Sequence, residues 1–446
     1  METTPSSVPQ ATEARQGGEV RARWAWTEPA VWTERMLMAL EQGVKGGVWF
    51  SWMDKVYAPA NLVAAFGKVA SNRGSAGVDH VTIRRFAARE AEELARLREH
   101  LRTGQYQPQA VRRAWIPKGQ GALRPLGIPT VRDRVVQTAL RNVLEPIFER
   151  EFAEHSYGFR PGRSAKDALR RVDRLLRDGH RYVVDADIRG YFDSIPKGPL
   201  MRRVEERVAD GRVLDLLTQY LNQPVLEDLR QWTPEQGTPQ GAVISPLLAN
   251  LYLNPLDHAM VARGFEMVRY ADDFVVLCRT RDEAAQALGF IREWMEQAGL
   301  TLHPEKTRIA DIDAGQFFDF LGYRFKHQEG KGDQRYPRPK SMGKLRDRIR
   351  EKTHRCNGLS LANIIVQVNP ILRGWFEYFK HSHYTVFPEV DGWVRMRLRS
   401  ILRKRQKRKG RGRGADHQRW PNQYFADQGL LCLRTAHGRL RQSHSG

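Results

Sequence analysis

Apolar positions change their spacing several times along the chain, and each change marks an element. Trp32 to Phe66 is helical in parts. Ser71 to Asp79 then reads as a turn-rich loop broken by Gly74 and Gly77. Residues 88–102 have the alternating charges of a surface helix. In 164–177 the apolar residues Ala168, Leu169, Val172, Leu175 and Leu176 share one helical face. Ser164 is placed to cap that helix, with Asp167 at the third helical position. The run Tyr182 to Ile188 reads as a strand. Met267–Tyr270 and Phe274–Cys278 are short apolar runs on either side of Ala271-Asp272-Asp273, the pattern of a hairpin. Ala284, Ala287, Leu288, Ile291, Trp294, Met295 and Ala298 return to helical spacing. Strands and helices interleave without strict alternation, which predicts an α+β fold.

Beyond Tyr323 the pattern weakens. Residues 326–342 are polar, with Gly and Pro, and read as a linker; 343–408 read as helical and basic. Residues 1–23 are rich in Pro, Ser, Thr, Gly and charge and read as a disordered tail. The 446 residues suggest several domains, and 41% hydrophobic content suffices for a real core. Charge narrows the function classes: 73 Lys and Arg against 51 Asp and Glu give a formal net of +22. Such an excess favours a polyanion, usually nucleic acid, with an acidic membrane surface as the competing partner. No apolar run approaches a membrane span, and the N-terminus shows no secretory signal. Cys278, Cys356 and Cys432 are too scattered for a disulfide scaffold or a zinc cluster, so a reducing, cytoplasmic setting is expected.

Two acids at a hairpin tip can simply be solvated. A third acid, Asp187, changes their meaning, because it ends another apolar strand. If the strands lie side by side, Asp187 and Asp272 face one point, and their repulsion calls for a cation. Hard oxygen ligands favour Mg²⁺, and two such ions suit in-line phosphoryl transfer.

Tyr270-Ala271-Asp272-Asp273 resembles the motif of reverse transcriptases, and Asp187-Ile188-Arg189-Gly190-Tyr191-Phe192-Asp193 resembles their first catalytic block. Further blocks follow in the family's order: Arg124 to Pro129, Ser156 to Ser164, Gln236 to Gly241, Ser245 to Asn250, Leu302 to Thr307 and Phe320 to Tyr323. In detail the chain resembles group II intron-encoded reverse transcriptase/maturases. Asn72 to Asp79 is similar to their N-terminal extension, Asn369 to Phe379 to their maturase, or thumb, domain, and Trp420 to Leu430 to the ending of the bacterial class C branch.

The resemblance implies a right-hand polymerase. An N-terminal extension and the start of the fingers span 24–109, and fingers and palm span 110–325. A helical thumb or maturase domain at 343–410 and a basic tail at 411–446 complete it. It implies an RNA-directed DNA polymerase with two Mg²⁺ ions that also binds its intron RNA as maturase. The further partners are target DNA, primer and dNTPs. Asp187 and Asp272 are the expected metal ligands, and Asp273 assists at the same site. Phe192, five residues after Asp187, is placed to exclude a ribose 2′-hydroxyl; its bland reading is a core aromatic. Lys118 and Arg124 suit a triphosphate, Gln240 and Gly241 the template and incoming nucleotide, and Lys306 the primer or nucleotide. Arg373 and the run Arg403, Lys404, Arg405, Lys407, Arg408 and Lys409 are expected to bind nucleic acid. Asp185 reads as a structural acid. The chain shows no paired cysteines for the His-Asn-His endonuclease of many relatives, so that domain is expected to be missing. The rivals are a splicing cofactor without polymerase activity and a reverse transcriptase of another lineage, such as a retron or defence-associated enzyme.

Overall fold

The structure is a computed structural model that describes residues 19–44, 47–119, 122–356, 358–410, 412 and 414–442. The chain divides into two compact units. One comprises residues up to His180 together with Val184–Ile309; the other comprises Arg181–Val183 and Ala310 onward.

In chain order the strands are β1 (Val111–Gly119), β2 (Ala122–Ile128), β3 (Tyr182–Asp187), β4 (Val225–Glu227), β5 (Arg230–Trp232), β6 (Glu266–Tyr270), β7 (Asp273–Cys278) and β8 (Arg308–Asp311). β9 (Phe317–Phe320), β10 (Tyr323–Gln328) and β11 (Gly332–Pro337) follow. Three sheets result, ordered β2-β1-β4-β5, β6-β7-β3-β8 and β11-β10-β9.

In the first unit, β1 and β2 form a long antiparallel hairpin, and β4 joins β1 in parallel. The helix Val131–Glu149 buries residues all round its circumference, among them Val135, Val136, Leu140 and Leu144. A helix apolar on every side belongs inside a core. Thr130 caps it by accepting a hydrogen bond from the Asp133 N–H. Ser245–Ala262 is a second deeply buried helix, with Pro near its start where no N–H is needed. The helix Ala165–Arg177 shows the expected capping box between Ser164 and Asp167, and buries Ala168, Leu169, Val172, Leu175 and Leu176.

The second unit packs helices Pro339–Lys352, Leu361–Phe379 and Val386–Arg405 around one apolar core. Three expectations are corrected here. Residues 326–342 are not a linker: they hold the end of β10, all of β11 and the start of a helix. Six β10–β11 register pairs satisfy a backbone whose polar side chains had suggested a loop. Nor is 411–446 a tail throughout, because Trp420, Phe425 and Leu433 are buried in the helical core. Widely spaced aromatics and leucines supply that burial, so no local run announced it. At the other end, residues 19–23 are helical, while the first eighteen residues of the expected tail lie outside the described ones.

Candidate active site

Along β3 the apolar Val183, Val184 and Ala186 are buried, and Asp185 and Asp187 are half-buried. Residues two apart share a strand face, so both acids project from one side. Asp185 lies 3.9 Å from Arg308, a long ion pair. Asp187 ends the strand. There the segment Thr301–His303 latches on: the Arg189 N–H donates to Thr301 O at 2.9 Å and the His303 N–H to Asp187 O at 2.7 Å. A turn follows, in which the Lys306 and Thr307 N–H groups donate back to His303 O. It carries the Lys306 ammonium onto the Asp187 carboxylate.

β6 and β7 pair in antiparallel register with Tyr270 opposite Asp273, leaving Ala271 and Asp272 as the two-residue turn. Ala271 takes a left-handed φ of 59°, as such tight turns demand. Asp272 and Asp273 are half-buried. β7 is the sheet neighbour of β3, so the strands bearing the acids lie side by side. Asp272 also acts on Tyr191, four residues past Asp187. Burial first, with Asp272 and Asp257 adding to it and Arg269 opposing, pushes that tyrosine well above the ordinary phenol range.

The turn is fixed from beneath by Arg269, which is 1% exposed. Its guanidinium grips the buried Asp257 carboxylate with both prongs, Nε to Oδ1 at 2.7 Å, and Nη1 donates to Asn250 Oδ1 at 3.0 Å and to Ala271 O at 2.8 Å. Burial works against this charge; Asp257 above all, with Tyr191 and Asp272, outweighs burial and holds the guanidinium above its ordinary pKa. On the outer side, the Tyr157 N–H donates to Arg269 O at 2.8 Å and the Arg269 N–H to His155 O at 3.0 Å. Gly158 then lies so close that a Cβ there would sit 2.3 Å from Ala271 N and 2.8 Å from Tyr270 C. Arg160, ion-paired with Glu149 at 2.8 Å, donates to Ala153 O and Ser156 O and sets this loop.

Phe192 is half-buried, edge-on to Phe159 at 6.3 Å. The Thr238 N–H donates to Phe192 O at 2.7 Å, and Gln240 Nε2 donates to Asp193 Oδ2 at 2.7 Å. Burial raises Asp193, with Arg113 and Gln240 opposing it. Gly241 packs on the hairpin: a Cβ there would meet Gly127 O at 2.3 Å, and the Gly127 N–H donates to Gln240 O at 2.7 Å. Arg124 is exposed on β2; Lys118 lies in β1, with its side chain outside the described ones.

In the second unit Arg373 is exposed on its helix. Part of the basic run serves the fold. Arg403 pairs with the buried Asp416 at 2.5 Å, Arg405 donates to Leu359 O, and Lys404 lies 2.6 Å from the Cys356 thiol. Lys407, Arg408 and Lys409 are exposed.

Sequence alone gives no place to Arg269 or Asp257, and it quotes Gly158 and Asn250 only as members of the family's blocks, without a role. A lone arginine inside the apolar run Met267–Tyr270 was the signal for the first of these. Among the described residues no group of three or more His, Cys, Asp and Glu side chains is gathered as a metal site. The donor set nonetheless suits a hard cation: carboxylates at the end of β3 and at the β6–β7 turn, one of them already holding an ammonium.

This sheet, with a carboxylate-bearing hairpin beside an acid-ended strand, belongs to a nucleotidyl-transferring polymerase palm. Residues 116–325 match the family described as reverse transcriptase (RNA-dependent DNA polymerase), and residues 342–420 match the group II intron, maturase-specific domain. The chain is 33% identical over 347 residues to protein YkfC of Escherichia coli (strain K12), covering 68% of this chain and 86% of that one. To the group II intron-encoded protein LtrA of Lactococcus lactis subsp. cremoris it is 38% identical over 202 residues, covering 45% of this chain and 33% of LtrA. To the uncharacterized 91 kDa protein in cob intron of Schizosaccharomyces pombe it is 29% identical over 352 residues, covering 61% of this chain and 43% of that one. It thus spans less than half the length of these last two relatives. The chain belongs to the group II intron reverse transcriptase/maturase family. Among the described residues no helix is long and apolar enough to cross a membrane.

Proposed function

We propose that the chain copies intron RNA into DNA and, as maturase, holds the folded intron RNA during splicing and mobility. The observation that carries this reading is the joint placement of Asp187 and the Asp272–Asp273 turn on neighbouring strands, with Arg269 bracing the turn. Asp187 and Asp272 would hold two Mg²⁺ ions, with Asp273 assisting. When bound, the ions lower the pKa of a primer 3′-hydroxyl and neutralise charge on the leaving pyrophosphate. Lys306 neutralises Asp187 while the site awaits its cations. Arg124 and Lys118 approach the triphosphate from the β1–β2 hairpin. Phe192, propped by Phe159, sets a wall against a 2′-hydroxyl, so dNTPs are preferred. Gln240 and Gly241 align template and nucleotide through a backbone tied to the hairpin. Arg373, Lys407, Arg408 and Lys409 offer exposed cations to RNA phosphates.

The test is primer extension on an RNA template with a DNA primer, Mg²⁺ and either dNTPs or rNTPs. Extension with dNTPs alone, abolished in Asp187→Asn and Asp272→Asn, is expected. Folded protein that binds structured RNA yet extends no primer, even with its own intron RNA present, would sink the polymerase reading and leave a splicing cofactor.

A further inference from the structure

Phe159 has a left-handed φ of 58°, an outlier for a bulky side chain. Such a conformation costs free energy and persists only where its surroundings over-determine it. Both neighbours do so here. Gly158 is wedged against the Tyr270–Ala271 peptide, and its carbonyl accepts from Asn250 Nδ2 at 2.7 Å. Arg160 is 6% exposed; its guanidinium pairs with Glu149 at 2.8 Å and donates to Ala153 O and Ser156 O.

The Phe159 side chain, by contrast, is held by little. It is 46% exposed and lines a hollow of about 440 Å³ with Val243 and Pro246. Among the described residues its ring meets one other, Phe192, at 6.3 Å with the planes crossing at 81°. Backbone conformation, not core packing, therefore puts this ring where it stands. Phe192 is the opposite case. Its backbone is fixed, because the Thr238 N–H donates to Phe192 O at 2.7 Å and a Cβ on Gly237 would meet the same oxygen at 2.8 Å. What remains free is the torsion of its side chain, which the neighbouring rings must restrain. One of them, Tyr191 at 5.7 Å, is buried and tied through its hydroxyl to Ala249 O at 2.5 Å. The other is Phe159, the one a substitution can remove without touching the core.

We infer that Phe159 is a specificity-determining residue for the sugar of the incoming nucleotide. It acts through Phe192, holding that ring against a 2′-hydroxyl, and the strained backbone is the cost of aiming it. The inference rests on the reading of Phe192 as the wall and names the residue that keeps the wall in place.

The experiment measures incorporation of one dATP or one ATP by the full chain on an RNA template, as the ratio of the two kcat/KM values. Phe159→Gly accepts the left-handed backbone without strain and removes the ring. Its urea midpoint is expected to equal or exceed that of the wild type. Its dATP-to-ATP ratio should fall about ten-fold, chiefly by a gain in ATP incorporation, since a pocket wall discriminates by about 10–200-fold. A residue serving only the fold would lower the midpoint and both nucleotides alike, leaving the ratio where it was. Phe159→Tyr keeps the ring and should keep the wild-type ratio. Phe192→Ala should lower the ratio at least as far as Phe159→Gly, and the double variant no further than Phe192→Ala, because the two rings act as one unit. A wild-type ratio in Phe159→Gly beside a collapsed ratio in Phe192→Ala overturns the inference and leaves the wall standing. Additive losses in the double variant overturn action through Phe192. A wild-type ratio in Phe192→Ala removes the wall and the inference together. Should no primer be extended, binding of dATP and ATP at a dideoxy-terminated primer with Ca²⁺ decides. A dATP preference that Phe159→Gly loses supports the inference without the chemistry, and equal binding of the two by the wild type overturns it.

Discussion

Gly158→Ala tests how the acidic turn is held. Gly158 has no side chain, and its backbone lies against the Tyr270–Ala271 peptide. An added Cβ would stand 2.3 Å from Ala271 N, 2.8 Å from Tyr270 C and 3.1 Å from Ala271 Cα. All three are backbone atoms, so no flexible side chain can swing aside. Restoring ordinary contact requires a shift of roughly 1 Å or more, since packed carbons rest about 3.5–4 Å apart. The turn resists on its other face, where Arg269 holds Ala271 O and is itself fixed by buried Asp257 and Asn250. Asn250 Nδ2 also donates to Gly158 O at 2.7 Å, so the glycine cannot retreat alone. Overpacking of this kind costs about 1–3 kcal/mol, and a displacement near 1 Å at reacting groups costs about 100-fold in rate. The expected result is therefore a modest fall in unfolding free energy in urea, a roughly 100-fold loss in single-nucleotide incorporation, and unchanged RNA affinity. Gly67→Ala is the control. It lies in the helix Pro59–Ser71 with open space around the added Cβ, so it should leave incorporation alone and raise stability by about 0.5–1 kcal/mol. Wild-type incorporation by Gly158→Ala, with an unchanged urea midpoint, would refute the reasoning.

Other outcomes follow from the same geometry. Asp257→Asn should cost about 3–5 kcal/mol in urea unfolding, because it leaves the Arg269 charge buried without its counter-ion, whereas the pair Asp257→Leu with Arg269→Met should cost much less. Lys306→Met should tighten Mn²⁺ binding, read by electron paramagnetic resonance without nucleic acid, since the ammonium no longer competes for Asp187; equal affinity in both proteins would reject that competition. Phe425→Ala should lower the stability of the helical unit by about 3–5 kcal/mol, as fits a core residue and not a tail residue. Iodoacetamide should label Cys356 first, because its hydrogen bond from Lys404 lowers the thiol pKa. Cys278, pushed up to about 12 chiefly by burial, should react only on unfolding.

Local chemistry made much of the first unit legible. The capping box at Ser164 and Asp167, the helix it starts, the strand ending at Asp187 and the hairpin around Ala271–Asp272 all rest on short-range periodicity and turn preference. The ordered blocks of residues likewise announced the family. The second unit was less legible where its signals are weak. β11 carries polar side chains on a strand whose partner alone gives it order, and the last helices contribute single buried residues such as Phe425.

What the sequence alone determined, then, is which residues are acidic, where several strands and helices of the first unit run, and the class of chemistry they suit. Only the tertiary structure decided that Lys306 lies on Asp187, that Arg269 turns inward to Asp257 and Ala271, and that Gly158 presses on the turn. The reason is physical. Periodicity and capping act over a few residues, whereas a buried charge finds its counter-ion, and a backbone its close neighbour, only when distant segments are packed together.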